Sequence, residues 1–190
     1  MILQLFRRLD PKTIDGIYGA IVVQARRPVF YAGLGVPDTV EGRFDMIVLH
    51  VVLVLRRLRR EPCGLDLAQG VFDAFCRDLD HNLREMGVGD LSVPKKMQRF
   101  AEAFYGRQRA YEDALAAADP ALLGVALARN VFSGNGFSGV HRLVDYTRRT
   151  AAQLDALDGA ALAAGRLAFS DPDAILADAE SIREFRQSFP

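Results

Sequence analysis

The stretch MIVLHVVLVL, residues 46–55, is apolar throughout except for His50. It is about half of the ~20 apolar residues that a helix needs to span a bilayer, so it reads as the middle of a buried core helix. Working outward, Thr39 stands as an N-cap and the helix runs to Arg60. Phe44, Ile47, Val48, Val51, Leu55 and Leu58 line one face, and Met46, Leu49 and Leu53 make the back face apolar too. A helix that is apolar all round lies at the centre of a bundle or against a membrane. It closes in Arg56, Arg57, Arg59 and Arg60 before Pro62. Those cations suit the negative end of the helix dipole, and they would equally suit an anionic leaflet or a partner surface.

On either side, helical patterns are punctuated by caps. Asp10-Pro11 pairs an N-cap with a proline at the first helical position. Ile14, Ile17, Tyr18, Ile21, Val22 and Ala25 follow at helical spacing, with Arg26-Arg27 in the last turn and Pro28 as the stop. The next helix covers about Leu65–Met86, with Ala68, Phe72, Phe75, Leu79, Leu83 and Met86 as its core stripe. Asp73, Arg77, Asp80 and Arg84 form a charge ladder on its outer face. Ser92 opens a helix to about Ala117, Asp119-Pro120 one to about Phe132, and Val140–Leu154 another. Asp171-Pro172 starts a weaker one. No stretch alternates with period two and no repeat recurs at fixed spacing. The expected fold is all-α, a compact array of about seven helices around a central hydrophobic helix.

Composition removes several function classes. Half of the 190 residues are hydrophobic and a quarter are charged, the balance of one globular domain with a real core. Basic and acidic residues number 24 each, so formal net charge is zero and no global field draws the chain onto nucleic acid. Positive charge is nearly all arginine; Lys12, Lys95 and Lys96 are the lysines. Cys63 and Cys76 have neither CxxC spacing nor a histidine at zinc-ligand spacing, and read as reduced thiols. The opening MILQLFRRLDPK has no long apolar region and no small-residue cleavage site, so no signal peptide is expected.

Enzymatic motifs do not gain support. GNGFSG, residues 134–139, matches G-x-G-x-x-G but follows a helix, whereas the dinucleotide fingerprint needs a strand before it. GVGDLSVPKK, residues 87–96, lacks the order of a P-loop. Asp78, His81, Asn82 and Glu85 lie near one another on the outer face of their helix and resemble half of a carboxylate metal site. The reading kept open on that face is an all-α metal- or cofactor-binding enzyme using Asp78, His81 and Glu85. Against it, a second helix would have to supply matching ligands; the other histidines are His50 and His141, and no Glu-x-x-His occurs. His50, in the most apolar helix, reads as a hydrogen-bonded core histidine. The helix–turn–helix at residues 80–97 has too long a turn for a DNA reader, and its second helix soon becomes aromatic core.

Two blocks carry a resemblance: YGAIVVQARRPVFYAGLGVPDTVEGRFDMIVLHVVLVLRRL at residues 18–58 and FCRDLDHNLREMGVGDLSVPKKMQRFAEAFYGR at residues 75–107. Together they resemble the ubiquinol–cytochrome c chaperone family, mitochondrial cytochrome b assembly factors and their alphaproteobacterial relatives. The most specific part is Asn82–Asp90 with Val93-Pro94-Lys95. The resemblance implies a non-enzymatic chaperone without a cofactor. It would assist newly made cytochrome b, a multi-spanning haem protein, into the bc1 complex. It implies the cytochrome b polypeptide as partner, with a small co-chaperone or the ribosome as further contacts and no direct nucleic-acid binding. Mitochondrial members carry a targeting extension that is not seen here, which fits a bacterial cytoplasmic protein in peripheral contact with the inner membrane. Residues 1–170 would then form a single helical chaperone domain and residues 171–190 a helical tail.

The residues expected to meet the partner lie at the corner between two helices: Asp78, Asp80, Asn82, Arg84, Glu85, Gly87, Gly89, Asp90, Pro94, Lys95 and Lys96. Gly87 and Gly89 make the turn, Ser92 caps the second helix, and Pro94 suits its first turn. Glu85, Asp90, Lys95 and Lys96 are expected to be exposed there as a mixed-charge edge. Arg56, Arg57, Arg59 and Arg60 are a second expected contact, with membrane or partner.

Overall fold

The computed structural model describes residues 10–62, 64–117, 119–133 and 139–178. Among them are eight helices: α1 (Pro11–Ala25), α2 (Val29–Ala32), α3 (Val40–Leu58), α4 (Leu65–Glu85), α5 (Val93–Ala116), α6 (Pro120–Asn130), α7 (Val140–Asp155) and α8 (Gly159–Ala163). Residues 172–178 are also helical, and no strand occurs among the described residues. Cys63 and the GNGFSG residues 134–138 lie outside them.

Local chemistry explains most of the helix starts. The Asp10 side chain accepts from the Lys12 N–H at 3.0 Å, that of Thr39 from Gly42 N–H at 3.0 Å, and that of Asp119 from Ala121 N–H at 2.8 Å. Each satisfies one orphan donor of a first turn. Ser92 behaves differently: it occupies the N-cap position of α5 with helical φ and ψ and makes no side-chain cap bond. The first helix ends at Ala25, so Arg26 is its C-cap rather than part of its last turn. The single turn α2, which periodicity is too short to reveal, buries Phe30.

Helix α3 is the axis of the molecule, in contact with α1, α4, α5 and α7. Every residue from Asp45 to Leu55 is buried, so its all-round apolarity is spent on neighbouring helices. Phe44 of α3, Phe72 and Phe75 of α4, and Phe100 and Phe104 of α5 form one ring cluster with centroids 5.0–6.5 Å apart. The stripe expected on α4 holds from Ala68 to Phe75 but fails at its end, where Met86 is 70 % exposed. The last described segment packs on the body: Ile175 is buried, Asp171 and Asp173 pair with Arg27, and Asp178 pairs with Arg149.

His50 is a core histidine held at both nitrogens. Its Nδ1 lies 2.7 Å from the Met46 carbonyl oxygen, which can only accept, so Nδ1 carries the proton. Nε2 therefore accepts from the Tyr146 hydroxyl at 2.6 Å, and that hydroxyl oxygen in turn accepts from Gln24 Nε2 at 3.0 Å. The chain of bonds ties α1, α3 and α7 together inside a cage that includes Phe30 and Phe169.

Burial lowers the His50 pKa to about 4, against about 6.5 in the unfolded chain. Between these values the unfolded chain binds a proton that the folded protein refuses, so stability falls as pH drops from about 6.5 to about 4. At ~1.4 kcal/mol per pKa unit the loss is roughly 3 kcal/mol. Asp45 works the opposite way over part of that window, because burial pushes its carboxyl up to about 6 against the pull of Arg107. A His50→Gln variant should be less stable than wild type at pH 7, with a gap that narrows towards pH 4. Urea unfolding across that range, with a gap that stays constant, would show that His50 is not buried as a neutral ring.

Candidate docking surface

The corner between α4 and α5 is built by backbone geometry. Gly87 adopts φ +79°, the left-handed conformation a helix C-terminus favours in glycine. The Val88 N–H then reaches the Leu83 carbonyl at 3.0 Å and the Gly87 N–H the Arg84 carbonyl at 2.9 Å, the paired bonds of a Schellman ending. The Gly89 carbonyl accepts from the Ser92 N–H at 2.8 Å and the Val93 N–H at 3.3 Å, which turns the chain into α5. Gly89 itself does not take the left-handed conformation.

From Arg84 to Lys96 every residue is exposed except Val88 and Val93. Glu85, Asp90, Lys95 and Lys96 are therefore at the surface, as their charge requires, together with Pro94. Arg84 clamps two carboxylates: its Nε lies 2.7 Å from Asp80, and its Nη1 contacts Asp90. The hydrogen bond from Arg84 holds the Asp80 carboxyl below its ordinary range. Asn82 turns back to its own helix, donating to the Asp78 carbonyl at 2.7 Å. Asp78 leaves the edge altogether: it accepts from the Tyr18 hydroxyl of α1 at 2.6 Å. Burial, with that bond, raises the tyrosine's pKa well above its ordinary value.

Two exposed apolar residues complete the corner, Leu91 at 99 % and Met86 at 70 %. Leu91 belongs to no periodic stripe, and its only sequence signal is an apolar residue inside a run of turn formers, GVGDLS.

The arginine end of α3 is divided: Arg56 and Arg57 turn inward, whereas Arg59 and Arg60 stay exposed and pair with carboxylates. Arg57 is buried, donating to the carbonyls of Leu154 at 3.0 Å and Leu157 at 2.5 Å and pairing with Glu61 at 2.6 Å. Arg56 forms a two-pronged bond to Asp155, 3.0 Å on each arm, and Arg60 reaches the same carboxylate at 3.0 Å. Arg59 lies 3.5 Å from Glu112. These side chains lock α3 to α5 and to the end of α7, where they also meet the last carbonyls of a helix.

No group of three or more His, Cys, Asp or Glu among the described residues could hold a metal ion. With Asp78 bonded to Tyr18, the Asp78, His81 and Glu85 face does not converge. The groove between α5 and α6, about 240 Å³, is lined by Ala110, Asp113, Ala114, Leu122, Val125, Ala126 and Arg129, a set with no nucleophile beside a base.

A family profile described as ubiquinol-cytochrome C chaperone matches residues 32–169. The chain belongs to this family. The chaperone-family assignment covers α3 to α8 and includes the whole corner. A crystal structure titled as the Cbp3 homolog from Brucella abortus superimposes with a TM-score of 0.81 and 42 % identity, over 91 % of this chain and 98 % of that one. Curated relatives are named ubiquinol-cytochrome c reductase complex assembly factor 1. The Xenopus laevis protein is 26 % identical over 133 residues, 68 % of this chain and 66 % of that protein. The Drosophila melanogaster protein is 26 % identical over 149 residues, 74 % of this chain and 57 % of that protein. The chain thus spans roughly half to two thirds of the length of these curated relatives. No helix among the described residues of this chaperone-family member is long and apolar enough to cross a membrane.

Proposed function

We propose that this protein is a non-enzymatic assembly chaperone of the ubiquinol–cytochrome c reductase complex, and that it binds newly made cytochrome b at the α4–α5 corner. The observation that carries the reading is the family match over residues 32–169, joined to relatives named as assembly factors of that complex. The corner supports the location: it presents Glu85, Asp90, Lys95 and Lys96 with Met86 and Leu91 around a rigid turn. Mixed charge beside apolar side chains is the composition of a polypeptide-binding rim with an anchor. A small co-chaperone or the ribosome would be further contacts. The protein would work in the cytoplasm, peripheral to the inner membrane.

Reversing Lys95 and Lys96 to glutamate tests the location. Helix content and melting temperature should stay near wild type, because exposed substitutions usually shift stability by within about 0.5 kcal/mol. In a bacterium that builds a bc1 complex, assembled cytochrome b should fall while the chaperone's abundance stays normal, through lost charge complementarity. Wild-type assembly in that strain would remove the two lysines from the docking surface.

A further inference from the structure

A short connection folds α6 back onto α5, and the two helices are in contact. The small side chains of Ala110, Ala114 and Ala126 leave an apolar furrow between them, about 240 Å³. Beside it Leu122 and Val125 stand out from α6, 51 % and 66 % exposed. Single exposed apolar residues are ordinary, but these two adjoin a furrow that small residues have left unfilled. One helix pair thus carries a ridge and a furrow side by side. Opposite charges mark the two ends. Asp113 lies on α5 near the connection, and Arg129 lies in the last turn of α6. Arg129 shares a face with Leu122 and Val125, at three- and four-residue spacing, and stands about 10 Å along the helix from Leu122. It bonds the neighbouring Asn130 at 3.4 Å and makes no ion pair among the described residues. Asp113 has only an exposed contact with Arg109 at 3.6 Å.

We propose that this face is a two-fold interface with a second copy of the chain. Helices pack by seating ridges in grooves. A two-fold axis across the middle of the furrow lays the Leu122–Val125 ridge of each copy into the alanine furrow of the other. The same rotation brings each Asp113 to the other copy's Arg129, so two opposite-charge pairs form together, as an isologous contact requires. A small molecule is poorly matched: the furrow is smaller than the ~300–1,000 Å³ of ordinary ligand pockets, and its charged side chains stand at its ends. Zero net charge puts no long-range repulsion between copies. A patch two helices wide falls at the small end of specific interfaces, so the association is reversible and depends on concentration. Ala110 lies about 21 Å along α5 from Lys96, so the dimer leaves each copy's α4–α5 corner free. The inference stands apart from the assembly reading, because it needs no client.

The test is sedimentation velocity on the purified full chain, over a concentration range on the order of a hundredfold. Wild-type protein should pass from monomer to dimer as concentration rises. Leu122→Ser with Val125→Ser should stay monomeric throughout. Its helix content and melting temperature should stay close to wild type, because both side chains are exposed. Asp113→Arg alone and Arg129→Asp alone should each weaken the dimer about tenfold or more, since two attractive contacts become two repulsive ones. Mixed in equal amounts, these two variants should dimerise as wild type does, because every pair across the mixed interface is again of opposite charge. Charges needed only within one copy would not be restored by mixing. Wild-type protein that stays monomeric at every concentration would overturn the proposal and assign the furrow to an apolar helix of another protein. A ridge variant that dimerises as wild type does, or charge variants that stay monomeric when mixed, would overturn it as well.

Discussion

Replacing Val51 with aspartate is expected to unfold the protein. Val51 is fully buried at the middle of α3, and α3 is the element on which α1, α4, α5 and α7 all pack. A carboxylate there loses its hydration without gaining a cation, at a cost of several kcal/mol. The missing apolar contacts add to that cost. Against a total stability of ~5–15 kcal/mol, one such change removes most of the margin. Far-UV circular dichroism and a thermal melt decide the matter. A variant with native helix content and near-wild-type melting would mean that this face of α3 is open to solvent or to a membrane. Retained solubility with lost membrane association would identify the latter.

Gly139→Ala should produce the second large effect, for a reason invisible in composition. Gly139 is the N-cap of α7, and the Leu34-Gly35 backbone crosses directly over it. An added Cβ would lie 1.8 Å from the Leu34 carbonyl oxygen and 2.9 Å from its carbonyl carbon. Those are backbone atoms, so no rotamer change makes room, and α7 must separate from the α2–α3 connection. Overpacking typically costs about 1–3 kcal/mol, and a backbone collision belongs at or above the top of that range. At about 2–4 °C per kcal/mol for a chain of this size, melting should fall by roughly 6–12 °C. Gly16→Ala and Gly19→Ala in α1 are the controls. Neither added Cβ meets another atom within 4 Å, so each should raise stability by up to ~1 kcal/mol through helix propensity. A Gly139→Ala protein that melts with wild type would show that the two backbones do not approach so closely.

Much of the candidate corner was legible before any packing was known. The helix end, the left-handed Gly87 and the exposure of Glu85, Asp90, Lys95 and Lys96 follow from rules that act over a few residues. The cap at Ser92 did not follow, because the Gly89 carbonyl turns the chain through backbone bonds and leaves the serine side chain without that task. Met86 shows a different limit. A helical stripe says which face a side chain occupies, but not whether a neighbouring helix extends far enough to cover it. Leu91 shows a third, since an apolar residue in a turn carries no period to be read.

The sequence by itself determined where helices begin, because Asp10, Thr39 and Asp119 bond to amides two or three residues away. It also determined that residues 46–55 are withdrawn from water, because an all-apolar surface is costly to hydrate; the packing of α1, α4, α5 and α7 around them decided that they lie in the core. Only the tertiary structure decided the partners of the charged groups. Arg56 finds Asp155 and Arg57 the Leu154 carbonyl, each nearly a hundred residues along the chain. Asp78 finds Tyr18 across sixty residues. Coulomb attraction and hydrogen bonding act through a few ångströms of space. Which ions meet was therefore set by how the helices cross: Arg56 and Arg57 became part of a clasp, and Arg59 and Arg60 kept to the surface.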